Sequence, residues 1–275
     1  ITPKARGTCN GGKRYGKAVT LAHTYASCVE QPGARIFWSL SALHGMTVLG
    51  ADAGNAFAEA PPPVQPFYMA IDDQFRNWWT ESLGNEPIPQ GHVLPVKHAM
   101  QGHPEAPRLW EKHIVQILEK LGFASTTHEK CIYQKTVAGH KVLFLRQVDD
   151  FAVACSDPGI SKEIIRQIGA QLQVPLNDLG TLTKFNGLDI VQTRDYTKIH
   201  CQSFLTKVLK QHGWEETITQ HNPVPIRNDT TYHAQMEGAL LPATPEEAQQ
   251  LQEEHFNYRQ AIGEAIYAMT VEGPD

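Results

Sequence analysis

The stretch VLFLRQVDDFAVAC, residues 142–155, places two adjacent acids, Asp149 and Asp150, between two apolar runs. Apolar runs of this length and composition predict β-strands, so we expect the acids at the tip of a hairpin with buried arms. Two adjacent carboxylates repel each other unless a cation binds them. The pair alone leaves two interpretations open: a divalent metal site, or a solvated turn, in which Asp is common.

The composition is that of a soluble globular chain. Its 275 residues, 41% of them hydrophobic, predict one or two domains. No apolar run approaches the roughly 18 residues of a membrane span, and the opening segment lacks a signal-peptide apolar region. We therefore expect no membrane partner and no secretion. The five cysteines contain no CxxC pair, which argues against a disulfide framework and a zinc knuckle.

The charge distribution leaves a nucleic-acid partner possible. The net charge is −5, but residues 227–275 hold nine acids against two arginines. Removing that segment leaves a mildly basic body, and the distribution of charge matters more here than its sum.

The apolar pattern predicts an α+β fold with helices on one face of an antiparallel sheet. An early helix is expected at 35–49, with Ile36, Leu40 and Leu43 as its apolar face. A short strand then ends near Asp52. The proline-rich residues 60–96 are expected to form a long ordered loop or a small ribbon. The later elements are expected to be a helix at 106–123, strands at 130–136 and 141–145 joined at Ala138-Gly139, the acid hairpin, a helix at 158–172, strands at 188–192 and 198–201, and a helix at 203–212.

The predicted order brings distant acids together. In a β-α-β-β-α-β arrangement the first strand lies beside a strand of the acid hairpin, so Asp52 can meet Asp149. Carboxylates holding two Mg²⁺ ions are what in-line phosphoryl transfer needs. Hard oxygen ligands favour Mg²⁺, with Mn²⁺ as a substitute, over zinc.

Several segments carry a resemblance to a known family. ADAGNAF, APRLW, QVDDFAVA and LGTLTKFNGLDI occur in the order and rough spacing of the reverse transcriptases of copia-type LTR retrotransposons (Pseudoviridae). Those proteins carry DVxNAF-like, LYGLKQAPRAWY-like, YVDD and LGxLxYFLGIEI segments. The sequence resembles the family over about residues 4–275, because KARGTCNGG is similar to its KARLVAKG, and YRQAIGEAIYAMTVEGPD to its YRxxVGSLxYLxxxTRPDI.

The resemblance implies an RNA-directed DNA polymerase, a nucleotidyltransferase with a right-hand fold whose palm has a ferredoxin-like β-α-β-β-α-β sheet, with fingers and a partial thumb or connection. The implied partners are an RNA or DNA template, a primer, dNTPs and the rest of a polyprotein with protease, integrase and RNase H. We expect a fragment of that polyprotein, in the cytoplasm (in a virus-like particle) or the nucleus. The expected divisions are 1–47 (part of the fingers), 48–192 (palm, with a fingers insertion at about 60–96), 193–221 (end of the palm and start of the thumb) and 222–275 (acidic tether and start of a connection towards a missing RNase H region).

The resemblance also implies the site residues. Asp52, Asp149 and Asp150 would be catalytic and hold two Mg²⁺ ions. Phe57 falls where the family places an aromatic gate against the ribose 2′-hydroxyl. Further implied contacts are those of Gln101, Gly102, Lys4 and Arg6 with the dNTP, those of Gln147, Gly187 and Leu188 with primer and template, and proton donation to pyrophosphate by Lys184.

The sequence departs from the family pattern in four motifs. Gln147 stands for the Tyr before VDD, and Gln101 for the Tyr of LYG. His103-Pro104-Glu105 replaces LKQ, and 272–275 read EGPD in place of TRPD. Two alternative functions therefore remain open: a catalytically inactive remnant that only binds nucleic acid, and a metal-dependent nuclease or integrase.

Overall fold

The computed structural model describes residues 8–9, 24–213, 244–253 and 257–272. The chain divides into two compact units. The first takes in residues up to 186 together with 190–198, and the second takes in 187–189 and the residues from 199 onward. Within the described ranges, no helix is both long and apolar enough to cross a lipid bilayer.

Helices and strands are interspersed along the described parts of the chain. The helices are α1 (Gln31–Leu43), α2 (Ala56–Glu59), α3 (Asp73–Asn77), a π-helix (Trp78–Ser82), α4 (Ala106–Lys120), α5 (Pro158–Gly169), α6 (Gln202–Gln211), α7 (Pro245–Glu253) and α8 (Tyr258–Glu272). The strands are β1 (Thr47–Ala53), β2 (Tyr68–Ala70), β3 (Val93–Pro95), β4 (Ala124–Ser125), β5 (Ile132–Val137), β6 (His140–Gln147), β7 (Asp150–Cys155), β8 (Leu176–Thr181), β9 (Lys184–Phe185), β10 (Leu188–Gln192) and β11 (Thr197–His200).

A six-stranded sheet, with the spatial order β4-β5-β6-β7-β1-β8, is the main sheet of the first unit. All its pairings are antiparallel. Helices α4 and α5 bury their apolar residues against one face, in a cluster that includes Leu49, Phe144 and Phe151. The sequence of elements β1, α4, β6, β7, α5 and β8 has the predicted β-α-β-β-α-β order, and β7 lies between β1 and β6. The predicted mixed class with antiparallel strands is therefore confirmed.

Local sequence signals explain α4 and the hairpin of β5 with β6. In α4, Pro107 occupies the first turn and the chain leaves the helix before Gly122, whose φ is 82°. Ala138 and Gly139 join β5 to β6 with φ values of 48° and 83°. Two successive positive φ angles are those of a type I′ turn, whose twist matches that of the flanking strands. The predicted hairpin joint is thus confirmed.

The prediction for the apolar face of α1 is wrong. Ile36, Leu40 and Leu43 are 56%, 37% and 78% exposed, whereas Phe37 and Trp38 are buried. An aromatic side chain buries more apolar area than a single aliphatic one. Trp38 also packs edge-on against Phe185, with ring centroids 6.3 Å apart. The helix therefore turns its aromatic side inward.

The prediction for the last strand of the main sheet is also wrong. The expected strand at 188–192 belongs to a separate three-stranded sheet of order β11-β10-β9, and β8 instead pairs with β1. Asn177, Asp178 and Gly180 make β8 a poor strand former by propensity. Its backbone pairing with β1, interrupted by a register shift at Gly50/Ala51, overrides that propensity.

The second unit is largely helical. Asp189 accepts hydrogen bonds from the backbone N–H and the hydroxyl of Ser203, both at 2.7 Å, at the start of α6. His212 Nε2 lies 2.7 Å from a carboxylate oxygen of Glu264 on α8. The first contact joins α6 to β10, and the second joins the end of α6 to α8.

The orientation of α1 is testable with a matched pair of truncations. Phe37→Ala should lower the free energy of unfolding by about 3 kcal/mol because it opens a cavity. Leu43→Ala should change it by less than about 0.5 kcal/mol because that side chain is mostly exposed. Urea unfolding followed by circular dichroism measures both, and equal losses would contradict the orientation.

Candidate active site

Two of the three predicted acids are direct neighbours across the main sheet. In the antiparallel pairing of β1 with β7, Asp52 lies opposite Asp150. Directly opposite residues have their Cβ atoms about 5 Å apart. The alternate residues Ala51 and Phe151 belong to the helix-covered cluster. The carboxylates of Asp52 and Asp150 therefore project from the face that α4 and α5 do not cover.

The neighbouring strands extend this pair into a row of four polar side chains. In the β6–β7 register Gln147 lies opposite Asp150, and in the β1–β8 register Asn177 lies opposite Asp52. The Asn177 amide donates a hydrogen bond to Asp52 Oδ2 at 3.1 Å. We call Gln147, Asp150, Asp52 and Asn177 the polar row.

The third acid, Asp149, lies in the two-residue turn that joins β6 to β7. Its carbonyl oxygen accepts a hydrogen bond from Ala53 N at 2.9 Å, which fixes the turn to the end of β1. Val148, the other turn residue, has a φ of 55°. A β-branched residue in that region is strained.

The three acids act on one another electrostatically. Burial and the charges of Asp149 and Asp52 raise the pKa of Asp150 from 3.8 to about 6. Burial is the largest cause of this shift, and the like charges of Asp149 and Asp52 add to it because they also disfavour ionisation of Asp150.

The donor set fits a divalent cation in chemistry. Among the residues that the structure describes, no three His, Cys, Asp or Glu side chains are grouped as a complete metal site. The Asp52–Asp150 pair nevertheless offers adjacent carboxylate oxygens, the ligands that Mg²⁺ and Mn²⁺ prefer. A cation there would offset the repulsion that raises the pKa of Asp150.

Gln147 already has an intramolecular partner. Its side-chain oxygen accepts a hydrogen bond from Val29 N at 3.0 Å. This bond ties the segment before α1 to the end of β6, and the amide nitrogen is the group that Gln147 would offer to a ligand.

A buried ion-pair cluster joins the end of β6 to α4. The Arg146 guanidinium, which is almost fully buried, donates to Glu111 Oε1 at 3.1 Å, and Arg108 donates to Glu111 Oε2 at 2.7 Å. Burial acts to raise the pKa of Glu111, but hydrogen bonds from Arg108 and Ser27 and the charge of Arg146 outweigh it and lower that pKa. Glu111 therefore stays ionised and holds Arg146 to α4.

Phe57 lies on the short helix α2, half-buried and packed against the main core. The helix is anchored by Glu59, whose Oε2 accepts from Gln173 N at 2.9 Å and from Val174 N at 3.0 Å. Its other oxygen lies 3.3 Å from His113 Nε2. These bonds limit how far α2, and with it Phe57, can move.

The segment Gln101-Gly102 is held by the chain near the N-terminus. Cys9 N donates to the Gln101 carbonyl at 2.8 Å. Gly102 has a φ of 88°, and a Cβ there would collide with the Cys9 carbonyl, so only glycine allows this approach. Lys4 and Arg6 lie outside the described residues.

The remaining predicted residues lie after the main sheet. Lys184 is the exposed first residue of β9 in the first unit. Gly187, with a φ of 81°, and Leu188 belong to the second unit.

Two residues of this region escaped the sequence analysis. Asn177 lies two residues after Pro175, in a segment with weak strand propensity, so only the β1–β8 pairing reveals it. Trp110 has the pattern of an ordinary core residue of an amphipathic helix, yet its indole N–H donates to the Val148 carbonyl at 2.7 Å. A buried Trp normally donates a hydrogen bond through its indole N–H. This tendency is the one sequence signal for a polar partner of Trp110.

The sequence of this chain matches a family profile and is similar to a yeast transposon protein. The profile of the family described as "Reverse transcriptase (RNA-dependent DNA polymerase)" matches residues 79–226, more than half of the chain. A Saccharomyces cerevisiae protein named "Putative transposon Ty5-1 protein YCL074W" is 25% identical over 221 residues, which are 75% of this chain and 65% of that protein. The chain thus spans slightly less than two thirds of the length of that relative. These matches confirm the predicted family: the chain belongs to the copia-type reverse transcriptases of retrotransposons.

Proposed function

We propose that this chain is the polymerase region of a retrotransposon polyprotein and extends a primer on an RNA or DNA template. The primer 3′-hydroxyl attacks the α-phosphate of a dNTP and releases pyrophosphate. The observation that carries the proposal is the polar row, in which Asp52 and Asp150 are direct neighbours, together with Asp149 in the turn just before Asp150.

In this proposal Asp52, Asp149 and Asp150 hold the catalytic cations. Two Mg²⁺ ions, or Mn²⁺ in their place, would when bound activate the 3′-hydroxyl and neutralise the leaving pyrophosphate. The protein's own part is to hold the carboxylates in place before substrate arrives. Asn177 orients the Asp52 carboxylate through its hydrogen bond, and the β1–β7 pairing fixes the separation of Asp52 from Asp150.

The other proposed roles concern substrate contacts. Phe57 excludes a ribose 2′-hydroxyl by steric contact, so that dNTPs are preferred. The amide nitrogen of Gln147 donates to the template or primer, since its oxygen is engaged by Val29. We further propose dNTP contacts for Gln101, Gly102, Lys4 and Arg6, primer contacts for Gly187 and Leu188, and proton donation to pyrophosphate by Lys184.

The domain assignment follows the same proposal. The main sheet with α4 and α5 would be the palm, residues 60–96 an insertion of the fingers, and α6 the start of the thumb. Template, primer and dNTPs would be the ligands, and protease, integrase and RNase H segments would be other parts of the polyprotein.

Primer extension tests the function directly. Purified protein with Mg²⁺ should extend oligo(dT) on poly(rA), and it should not cleave either strand. Failure with both Mg²⁺ and Mn²⁺ would favour an inactive remnant, and cleavage without extension would favour a nuclease.

Asp149→Asn should reduce extension by on the order of 100-fold or more while leaving the protein folded. The variant removes one of the charges that raise the pKa of Asp150, so it should cost little stability. Asp195→Asn, the same change in the exposed turn before β11, serves as the control and should retain activity. Unfolding of the Asp149 variant would count against a metal role for that carboxylate.

Phe57→Val should raise incorporation of rNTPs relative to dNTPs by about tenfold or more, because the smaller side chain leaves room for the 2′-hydroxyl. Single-nucleotide extension with rUTP and dTTP measures the ratio. Phe75→Val, at another half-buried Phe, on α3, is the matched control. Unchanged discrimination in the Phe57 variant would refute the gate.

Asp150→Asn should stabilise the metal-free protein at neutral pH. Folding raises the pKa of Asp150 to about 6, so between about pH 4 and 6 the folded state binds more protons than the unfolded state. The free energy of unfolding of the wild type therefore falls as the pH rises through this window.

Allowing for solvent access to Asp150, the variant should gain about 1 kcal/mol over the wild type at pH 7 and nothing below about pH 4. Urea unfolding in EDTA at both pH values measures this, again with Asp195→Asn as the control. A less stable variant at pH 7 would contradict the charge argument.

A further inference from the structure

We propose that Trp110 is a positioning residue for the acid turn, holding Val148 and thereby Asp149 and Asp150 in place through its indole N–H. Its kinetic consequence rests on the proposed polymerase function. The hydrogen bond from Trp110 Nε1 to the Val148 carbonyl is 2.7 Å long, and the Trp110 side chain is only 1% exposed.

The turn needs such a restraint because its first residue is strained. Four non-glycine residues in the described ranges have positive φ, and they are Asn55, Ala138, Val148 and Asn186. Of these, only Val148 is β-branched, the class of side chain for which this conformation is a true outlier. Left alone, the Val148 peptide would relax towards negative φ and swing the neighbouring carboxylates away.

Both carbonyls of the turn are fixed from different elements. Trp110 on α4 holds the carbonyl of Val148, and Ala53 at the end of β1 holds that of Asp149 at 2.9 Å. Asp149 is thus held between a helix beneath the sheet and the strand that bears Asp52. Loss of either bond frees one side of the turn.

The part of α4 that bears Trp110 is itself bound to β6. The next residue of α4, Glu111, binds the buried Arg146 at 3.1 Å, and Arg146 stands two residues before Val148. The consecutive α4 residues Trp110 and Glu111 therefore bind the acid turn and the end of β6, respectively. Tryptophan suits this position because no other apolar side chain of similar size carries an N–H donor.

Trp110→Phe tests the inference because it keeps a large ring in the core and removes the donor. We expect kcat for primer extension to fall about tenfold, with the KM for dNTP changed less than about twofold, since misplaced acids act on the chemical step. Trp79→Phe is the matched control, because it removes another indole-to-carbonyl bond, 3.1 Å to Glu86, outside the polar row. That control should leave kcat within about twofold.

A double-mutant cycle separates strain from simple packing loss. Val148→Gly lets the turn adopt positive φ without steric cost. Trp110→Phe should therefore reduce kcat less in the Val148→Gly background than in the wild type. Equal losses in both backgrounds would overturn the positioning role and leave Trp110 as packing.

Hydrogen exchange provides a readout that does not depend on activity. The Ala53 amide, which donates to Asp149, should exchange at least about tenfold faster in Trp110→Phe and at the wild-type rate in Trp79→Phe. If the wild type extends no primer, the proposed function fails and Ala53 exchange alone decides the inference. Unchanged exchange at Ala53 would overturn it.

Discussion

The pairing of β1 with β7 is the constraint on which the candidate site depends. It sets two carboxylates directly opposite each other, an arrangement that an antiparallel sheet ordinarily avoids because like charges there are destabilising. Burial raises the pKa of Asp150, and the charges of Asp149 and Asp52 raise it further. A protein that keeps such a pair gains something from it other than stability, and cation binding is the function that this chemistry supports.

Neutral polar side chains flank the Asp52–Asp150 pair on both sides of the polar row. Asn177 donates to Asp52 as a neutral amide, and Gln147 stands on the other side of Asp150 in the row. Arg146 is charged and directly precedes Gln147 in the sequence. Its side chain, however, lies on the opposite face of the sheet, where Glu111 binds it. The carboxylates of Asp52 and Asp150 thus lie on one face of the sheet, while Arg146 and Glu111 are paired on the other.

The sequence allowed β1, β5, β6 and β7 to be predicted, because apolar runs bounded by turn residues are a local signal, and their order predicted that β1 meets the acid hairpin. Contacts that depend on a partner elsewhere were not predictable. The burial of Phe37 in place of Leu43 depends on what α1 packs against, and β8 is a strand because β1 offers it an edge. The hydrogen bond from Trp110 to Val148 joins residues 38 apart, and no periodicity indicates it. Phe57 and Gly102 were singled out through family resemblance, and their neighbours appear only in three dimensions.

The positions of Asp52 and Asp150 follow from the apolar core on the opposite face of the sheet. A slip of β7 by one residue against β1 would move Asp150 among the apolar side chains beneath α4 and α5 and turn Phe151 outward. Burying an unpaired carboxylate costs several kcal/mol, and exposing Phe151 costs about 2 kcal/mol more. The register is therefore fixed by apolar packing that never touches the polar row. The turn itself is fixed in another way, because Val148 packs against the core with a positive φ that apolar packing alone does not favour. There the carbonyls of Val148 and Asp149 accept hydrogen bonds from Trp110 and Ala53, which tie the acid turn to α4 and to β1.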